Sequence, residues 1–158
     1  MPAADFAFIP GFLPALQRSP AAMEARNKLA RTIHEGRLTP RQRSQIALVV
    51  AQEGGCEYSI WAQTCTARQA GLGWEDIMFA SSGAALDARD AAIVRLAREI
   101  AKTGCFSPTE VRALARDPLL RPSDVTEIVA NAALAVLDNY MIQSLAPVEA
   151  RTGSRRAA

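Results

Sequence analysis

A cysteine, a serine and a glutamine share one predicted helix face in the segment GGCEYSIWAQTC, residues 54–65. Cys56 follows two glycines and opens the helix, where unpaired backbone N–H groups and partial positive charge favour a thiolate. Ser59 and Gln63 follow at helical spacing on the face of Cys56. Two interpretations of Cys56 stay open, a reactive thiol and a small buried side chain that seals the helix start.

The two polar neighbours of Cys56 limit the chemistry of this face. Ser59 stands where a second cysteine would complete a C-x-x-C motif. A serine hydroxyl gives little alkoxide near neutral pH without a strong base beside it. Gln63 has no titratable proton and cannot act as a general base. Both side chains can still donate and accept hydrogen bonds, which suits a polar pocket.

The three cysteines, Cys56, Cys65 and Cys105, do not indicate a disulfide scaffold, because their number is odd. Cys56 and Cys65 lie on one predicted helix, about 13 Å apart along its axis. A disulfide needs Cα atoms within about 7 Å, so this pair is excluded unless the helix breaks. Cys105 could pair with Cys56 only if the fold brings the two close, and the sequence favours a core or loop-end position for it.

No metal ion or cofactor is expected. The chain has a single histidine, His34, and no pair of C-x-x-C motifs, so zinc ligands are lacking. A Ser–His–Asp assembly would need His34, and nothing in the sequence places it near Ser59. Tyr58 and Trp61 are expected to line a pocket or a subunit interface, since aromatic side chains supply large contact areas.

Composition indicates one globular domain in the 158-residue chain, with 49% hydrophobic and 22% charged residues. A net charge of +2 is too small to indicate a nucleic acid or an anionic membrane as partner. The N-terminal segment lacks the pattern of a secretory signal, and Lys and Arg interrupt every apolar stretch. We therefore expect a cytoplasmic protein with reduced cysteines and no membrane partner.

Few β-branched residues and no alternating apolar pattern predict an all-α fold. Thr39, Pro40 and Gln42 form a helix start with a capping box, and Ser123 is expected to cap the last long helix before Pro147. The helices are predicted over 20–35, 40–53, 56–69, 74–80, 87–103, 107–117 and 124–145.

Three regions of the chain are expected. Residues 1–19 form an N-terminal arm, in which apolar side chains among prolines pack across the body or a neighbouring subunit. Residues 20–147 form the helical domain. Residues 148–158 form a disordered basic tail.

The segment LTPRQRSQIALVVAQEGGCEYSIWAQTCTARQAGLGWEDI, residues 38–77, resembles the core of the carboxymuconolactone decarboxylase family, which includes the alkylhydroperoxidase D-like proteins. A looser likeness spans about residues 8–146 and includes Asn139, where the family often has asparagine. The resemblance implies an oligomeric helical bundle of about six to seven helices, a trimer or hexamer, with its site near subunit contacts.

In the peroxidase branch of that family the site combines a glutamate, a C-x-x-C motif and a histidine. By resemblance, Cys56 takes the place of the first cysteine and Ser59 that of the reactive one. Gln63 takes the place of the histidine, and Ser44 that of the glutamate. Three of the four functional positions have therefore lost redox chemistry, while the replacements remain polar and able to hydrogen-bond together.

Three functions follow from the resemblance. The favoured one is a non-redox oligomer whose small polar pocket binds a small organic molecule or nothing; its expected residues are Ser44, Cys56, Tyr58, Ser59, Trp61 and Gln63. The alternative is a peroxiredoxin-like thiol peroxidase in which peroxide oxidises Cys56 to a sulfenic acid and an external thiol resolves it. The third is a lactone decarboxylase, although that branch uses a histidine in this segment.

Overall fold

The computed structural model describes residues 19–153 except positions 105, 108, 111, 112, 114 and 115, and side chains only up to residue 143. Across these residues the chain forms six helices and no strand, so the all-α prediction is confirmed. The helices are α1 Pro20–His34, α2 Pro40–Glu53, α3 Glu57–Gln69, α4 Trp74–Ser81, α5 Ala88–Thr103 and α6 Pro122–Gly153. Residues 1–18 of the predicted arm and 154–158 of the predicted tail lie outside the described residues.

Local hydrogen bonds explain where several helices begin and end. The Thr39 hydroxyl accepts the Gln42 backbone N–H at 3.2 Å, and the Gln42 side chain accepts the Thr39 N–H at 3.0 Å. The predicted capping box of α2 is therefore confirmed. Gly104 ends α5 with φ 64°, in the left-handed region that favours glycine at this position.

The start of α6 differs from the prediction that Ser123 caps it. The helix begins at Pro122, whose fixed φ suits the first helical position. The Asp124 carboxylate accepts the Arg121 backbone N–H at 3.0 Å and so bonds a donor at the helix start. The helix also continues to Gly153, past its predicted end before Pro147, so residues 148–153 of the expected disordered tail are helical.

The predicted helix over 107–117 falls partly on positions outside the described residues. A capping box is present at its start, since the Glu110 carboxylate accepts the Ser107 N–H at 2.6 Å. The Ser107 hydroxyl accepts the Glu110 N–H at 3.3 Å in return. These two bonds fix the chain at the start of this segment.

Helix α2 lies at the centre of the bundle and packs against α3, α4, α5 and α6. The main core is formed by buried aliphatic side chains that include Ile46, Val49, Val50, Ile93, Leu96 and Ile128. A smaller apolar cluster fills the space among α2, α3 and α4, with Leu48, Leu72 and Ile77. Removal of these apolar surfaces from water is the main force that holds the bundle together.

Helix α6 contradicts the expectation that Lys and Arg interrupt every apolar stretch. Its Pro122–Gln143 portion has a mean hydropathy of 1.2 and is long and apolar enough, by length and composition, to cross a membrane. In this fold α6 packs against α1, α2, α3 and α5 and buries the side chains of Asp124 and Asp138. Apolar side chains all round a helix are also typical of the central helix of a bundle.

Candidate functional site

A cavity of about 390 Å³ opens among α1, α2, α3 and α6. Part of its wall is apolar and consists of Ala47, Leu134 and Ala135. The rest is polar and includes Arg26, Arg43, Ser44, Gln63, Asn131 and Asp138. A concave site with an apolar wall and a few convergent polar groups is the usual form of a small-molecule site.

Two residues that the sequence singled out, Ser44 and Gln63, line this cavity from α2 and α3. Both are buried, and Gln63 is only 3% exposed. Neither side chain makes a hydrogen bond to another residue within the described part of the chain. The hydroxyl and the amide therefore face the cavity with their bonding capacity unused by the protein.

Cys56 and Ser59 are not among the residues that line the cavity. Ser59 is completely buried, and its hydroxyl has no hydrogen-bond partner among the described residues. Cys56 is half-buried at the N-cap of α3, and its side chain makes no capping hydrogen bond. The structure thus brings Ser44 and Gln63 to one cavity and places Cys56 and Ser59 elsewhere.

The aromatic residues Tyr58 and Trp61 also lie outside the cavity. Their side chains are on the molecular surface, 37% and 47% exposed. The two rings are 6.0 Å apart between centroids and tilted by 40°. They form an exposed aromatic pair on α3.

An ion pair that the sequence did not reveal forms the polar floor of the cavity. Arg26 donates two hydrogen bonds to the Asp138 carboxylate, at 2.9 Å from Nε and 2.8 Å from Nη2. Both side chains are buried, and the pair joins α1 to α6. Asp138 is the one carboxylate within the apolar stretch 128–142 of α6, and this was the available signal, since a buried charge requires a partner.

Arg43 brings a second guanidinium to the cavity wall, and it too was missed in the sequence. It is half-buried, and its Nη1 donates to the Leu38 carbonyl oxygen. It forms no ion pair with an acid among the described residues. Burial lowers the pKa of Arg43, and the attraction of the Glu127 carboxylate partly opposes this shift.

A comparison with known protein families identifies the family of this helical chain. The model of the carboxymuconolactone decarboxylase family matches residues 20–103, which is more than half of the chain. The chain belongs to the carboxymuconolactone decarboxylase family. Neither the curated proteins nor the solved structures contain a match to it.

The match to the carboxymuconolactone decarboxylase family covers α1 to α5 and therefore includes Arg26, Arg43, Ser44 and Gln63. It is narrower than the likeness expected over residues 8–146. Helix α6, which supplies Asp138, lies beyond the matched residues. One wall of the cavity in this family member is thus built from a segment that the family model does not describe.

Asn139 joins α6 to the end of α2 in this carboxymuconolactone decarboxylase family protein. Its Nδ2 donates to the Val50 carbonyl oxygen at 3.0 Å, and its Oδ1 has no partner among the described residues. A Cβ atom on Gly54 would lie 2.9 Å from the same Nδ2. Gly54 therefore allows the close approach of α6 to the turn that precedes Cys56.

Proposed function

We propose that this carboxymuconolactone decarboxylase family protein is a non-redox member that binds a small organic molecule in the cavity among α1, α2, α3 and α6. The observation that supports the proposal is the pair of buried, unpartnered polar side chains of Ser44 and Gln63 at its wall. Because the Ser44 hydroxyl and the Gln63 amide line the cavity and are not bonded to the protein, both are available to a ligand. A few convergent polar groups of this kind fix the orientation of a ligand in a small-molecule site.

The chemistry of the cavity residues favours binding over thiol catalysis. Gln63 cannot accept a proton from a nucleophile, and Ser44 does not provide a base. Cys56 does not line the cavity, so a molecule bound there has no direct contact with its thiol. The wall of Ala47, Leu134 and Ala135 suits the apolar part of a ligand.

A thermal-shift screen of small organic molecules tests the proposal. A ligand that binds only the native state raises Tm by mass action, by an amount that corresponds to about 2.7 kcal/mol at a hundredfold excess over Kd. We expect compounds that stabilise the wild-type protein to lose their effect on Gln63→Leu, which removes the amide and keeps the side-chain volume close. Gln52→Leu, on the exposed side of α2, is the matched control and keeps the shift.

Two outcomes would overturn the proposal. One is a set of stabilising compounds whose shifts are the same in the Gln63→Leu variant and in the wild type. The other is catalytic hydroperoxide consumption, with an external thiol as reductant, that Cys56→Ser abolishes. The second result would assign the thiol peroxidase function instead.

A further inference from the structure

We propose that the ligand of this cavity is a small organic anion and that Arg43 is its ion partner. The inference rests on the proposed function and specifies the chemical class of molecule that the same cavity takes. The supporting observation is the arrangement of charges at the cavity wall. The Arg26 guanidinium is paired with the Asp138 carboxylate, whereas Arg43 has no ion pair among the described residues.

Among the described residues, the charges that line the cavity sum to a positive value. Arg26 is matched by Asp138 through two hydrogen bonds, so this pair is neutral as a unit. Arg43 contributes a further positive charge and has no ion pair within the described part of the chain. His34 also lines the cavity and adds no negative charge in either protonation state. The cavity therefore attracts anions and repels cations.

Glu127, the acid whose charge acts on Arg43, already accepts hydrogen bonds from other donors. Glu127 attracts Arg43 at a distance, beyond an ion-pair contact. Its Oε2 accepts the backbone N–H groups of Arg37 at 2.7 Å and Leu38 at 3.2 Å. The Glu127 carboxylate is thus held at the turn between α1 and α2, and the half-buried charge of Arg43 is left to be matched by a ligand.

Arg43 retains donors for that ligand. A guanidinium has five N–H donors, and one nitrogen of Arg43 is engaged by the Leu38 carbonyl oxygen. The remaining donors match a carboxylate, with which arginine forms short, charge-assisted hydrogen bonds. The same burial that lowers the pKa of Arg43 makes its unmatched charge costly, and a bound carboxylate relieves that cost.

The other residues that line the cavity indicate what the rest of the ligand looks like. Gln63 can donate and accept, and Ser44 adds a hydroxyl, so the ligand carries a second polar group or a second carboxylate oxygen within their reach. The apolar wall of Ala47, Leu134 and Ala135 accommodates a hydrocarbon part. A volume of about 390 Å³ suits a molecule the size of a single substituted ring.

Calorimetric titration of the full chain with matched acids and amides tests the inference. The probes are formate, acetate and benzoate, each compared with formamide, acetamide or benzamide of nearly the same shape, and inorganic phosphate as a separate arm. We expect at least one carboxylate to bind about tenfold or more tightly than its amide, because a hydrogen bond to a charged group contributes more than a neutral one. Inorganic phosphate is expected to bind more weakly than that carboxylate, because it has no apolar part.

The variant Arg43→Gln identifies the ion partner. It removes the charge and keeps a polar side chain with a hydrogen-bond donor, so the ratio of acid affinity to amide affinity is expected to fall by about tenfold. Arg31→Gln removes the same charge from the exposed side of α1 and is expected to keep the preference. If Arg43→Gln does not fold, salt titration of the wild type decides, since added salt weakens the preference for the acid when it arises from charge attraction.

The possible results distinguish a wrong ligand class from a wrong proposed function. Equal affinity for acid and amide, an acid preference that survives in Arg43→Gln, or phosphate binding as tight as the carboxylates overturns the organic anion and leaves a small-molecule site. If no carboxylate binds while neutral compounds stabilise the protein through Gln63, the anion class is wrong and the proposed function stands. If neither the probes nor the screening compounds bind, both are wrong.

Discussion

At the scale of single residues, the charged side chains that line the cavity could not be identified from the helical pattern of the sequence. Arg26 and Asp138 are removed from water together, and their attraction offsets the cost of that removal only while both are present. Ser44 and Gln63 were identified in the sequence by their positions relative to a known motif. Arg26, Arg43 and Asp138 were not, because a helical pattern shows which face a residue occupies and does not show which distant helix lies against it.

The buried ion pair gives a stability prediction. Asp138→Asn leaves the Arg26 guanidinium buried without a counter-charge, and we expect the free energy of unfolding to fall by about 3–5 kcal/mol. Urea unfolding measures the change. Glu24→Gln, which removes an acid from the exposed pair of Glu24 with Lys28 on the same helix, is the control and is expected to change stability by about 0.5 kcal/mol or less. Equal losses in the two variants would show that the Arg26–Asp138 pair has no special role.

At the scale of helices and turns, the sequence predicted most of what local hydrogen bonds determine. The bounds of α1, α2 and α5 follow from capping residues and glycine stops, whose partners lie within a few residues. The start of α6 was wrong because Pro122 and Ser123 are both good start residues. The carboxylate of Asp124, which bonds to the Arg121 N–H, decides between them, and it is held by a distant arginine, Arg89.

The turn between α2 and α3 depends on the missing side chain of Gly54. In Gly54→Ala the new Cβ would displace the Asn139 amide from the Val50 carbonyl oxygen, and we expect a loss of about 1–2 kcal/mol in unfolding free energy. Gly73→Ala, whose Cβ would meet only the Asp76 carboxylate at 3.6 Å, is the matched control. It is expected to lose only about 0.5 kcal/mol, because Gly73 is the N-cap of α4 and alanine is less favourable there than glycine. Thermal and urea unfolding distinguish the two variants, and an undiminished stability of Gly54→Ala would contradict the tight approach of α6.

The start of α6 also gives a pH dependence. Burial raises the pKa of Asp124, but hydrogen bonds from Arg89 and from the Arg121 backbone and side chain outweigh it and hold the pKa well below its usual range. Because the folded-state pKa is the lower one, this stabilisation is present above the unfolded value of about 4 and is lost as pH falls below it. We expect wild type to be more stable than Asp124→Asn near neutral pH and the difference to shrink towards about pH 3.

Urea unfolding of both proteins across this pH range measures the effect. Glu75→Gln, which removes an exposed carboxylate from the first turn of α4, serves as the control for general acid sensitivity. A difference between wild type and Asp124→Asn that stays constant with pH would exclude Asp124 as the titrating group.

At the scale of the whole molecule, the exposed aromatic surface supports self-association. Trp61, Trp74, Met78 and Tyr140 are large apolar side chains on the surface of the single chain. Where such side chains lie next to one another, as the Tyr58 and Trp61 rings do, they are typical of a surface that a partner covers. We predict a homo-oligomer, a trimer or hexamer, with a mass three or six times the 17.0 kDa of one chain.

Light scattering coupled to size exclusion measures that mass. Trp61→Glu is expected to shift the population to smaller species if α3 contributes to the contact, because a buried carboxylate at an interface is strongly unfavourable. Gln52→Glu adds the same charge on an exposed part of α2 and is expected to leave the mass unchanged. A wild-type mass of one chain at all concentrations would contradict the prediction.

The pairing of Arg26 with Asp138 has a consequence for the order of events during synthesis. The two residues are separated by 112 positions, and the helices that carry them are the first and last described along the chain. A ribosome releases α1 long before α6, since chains emerge from their N-termini. Until α6 emerges, Arg26 has no Asp138, and the nascent chain has neither a complete cavity nor a place for a ligand to aid folding.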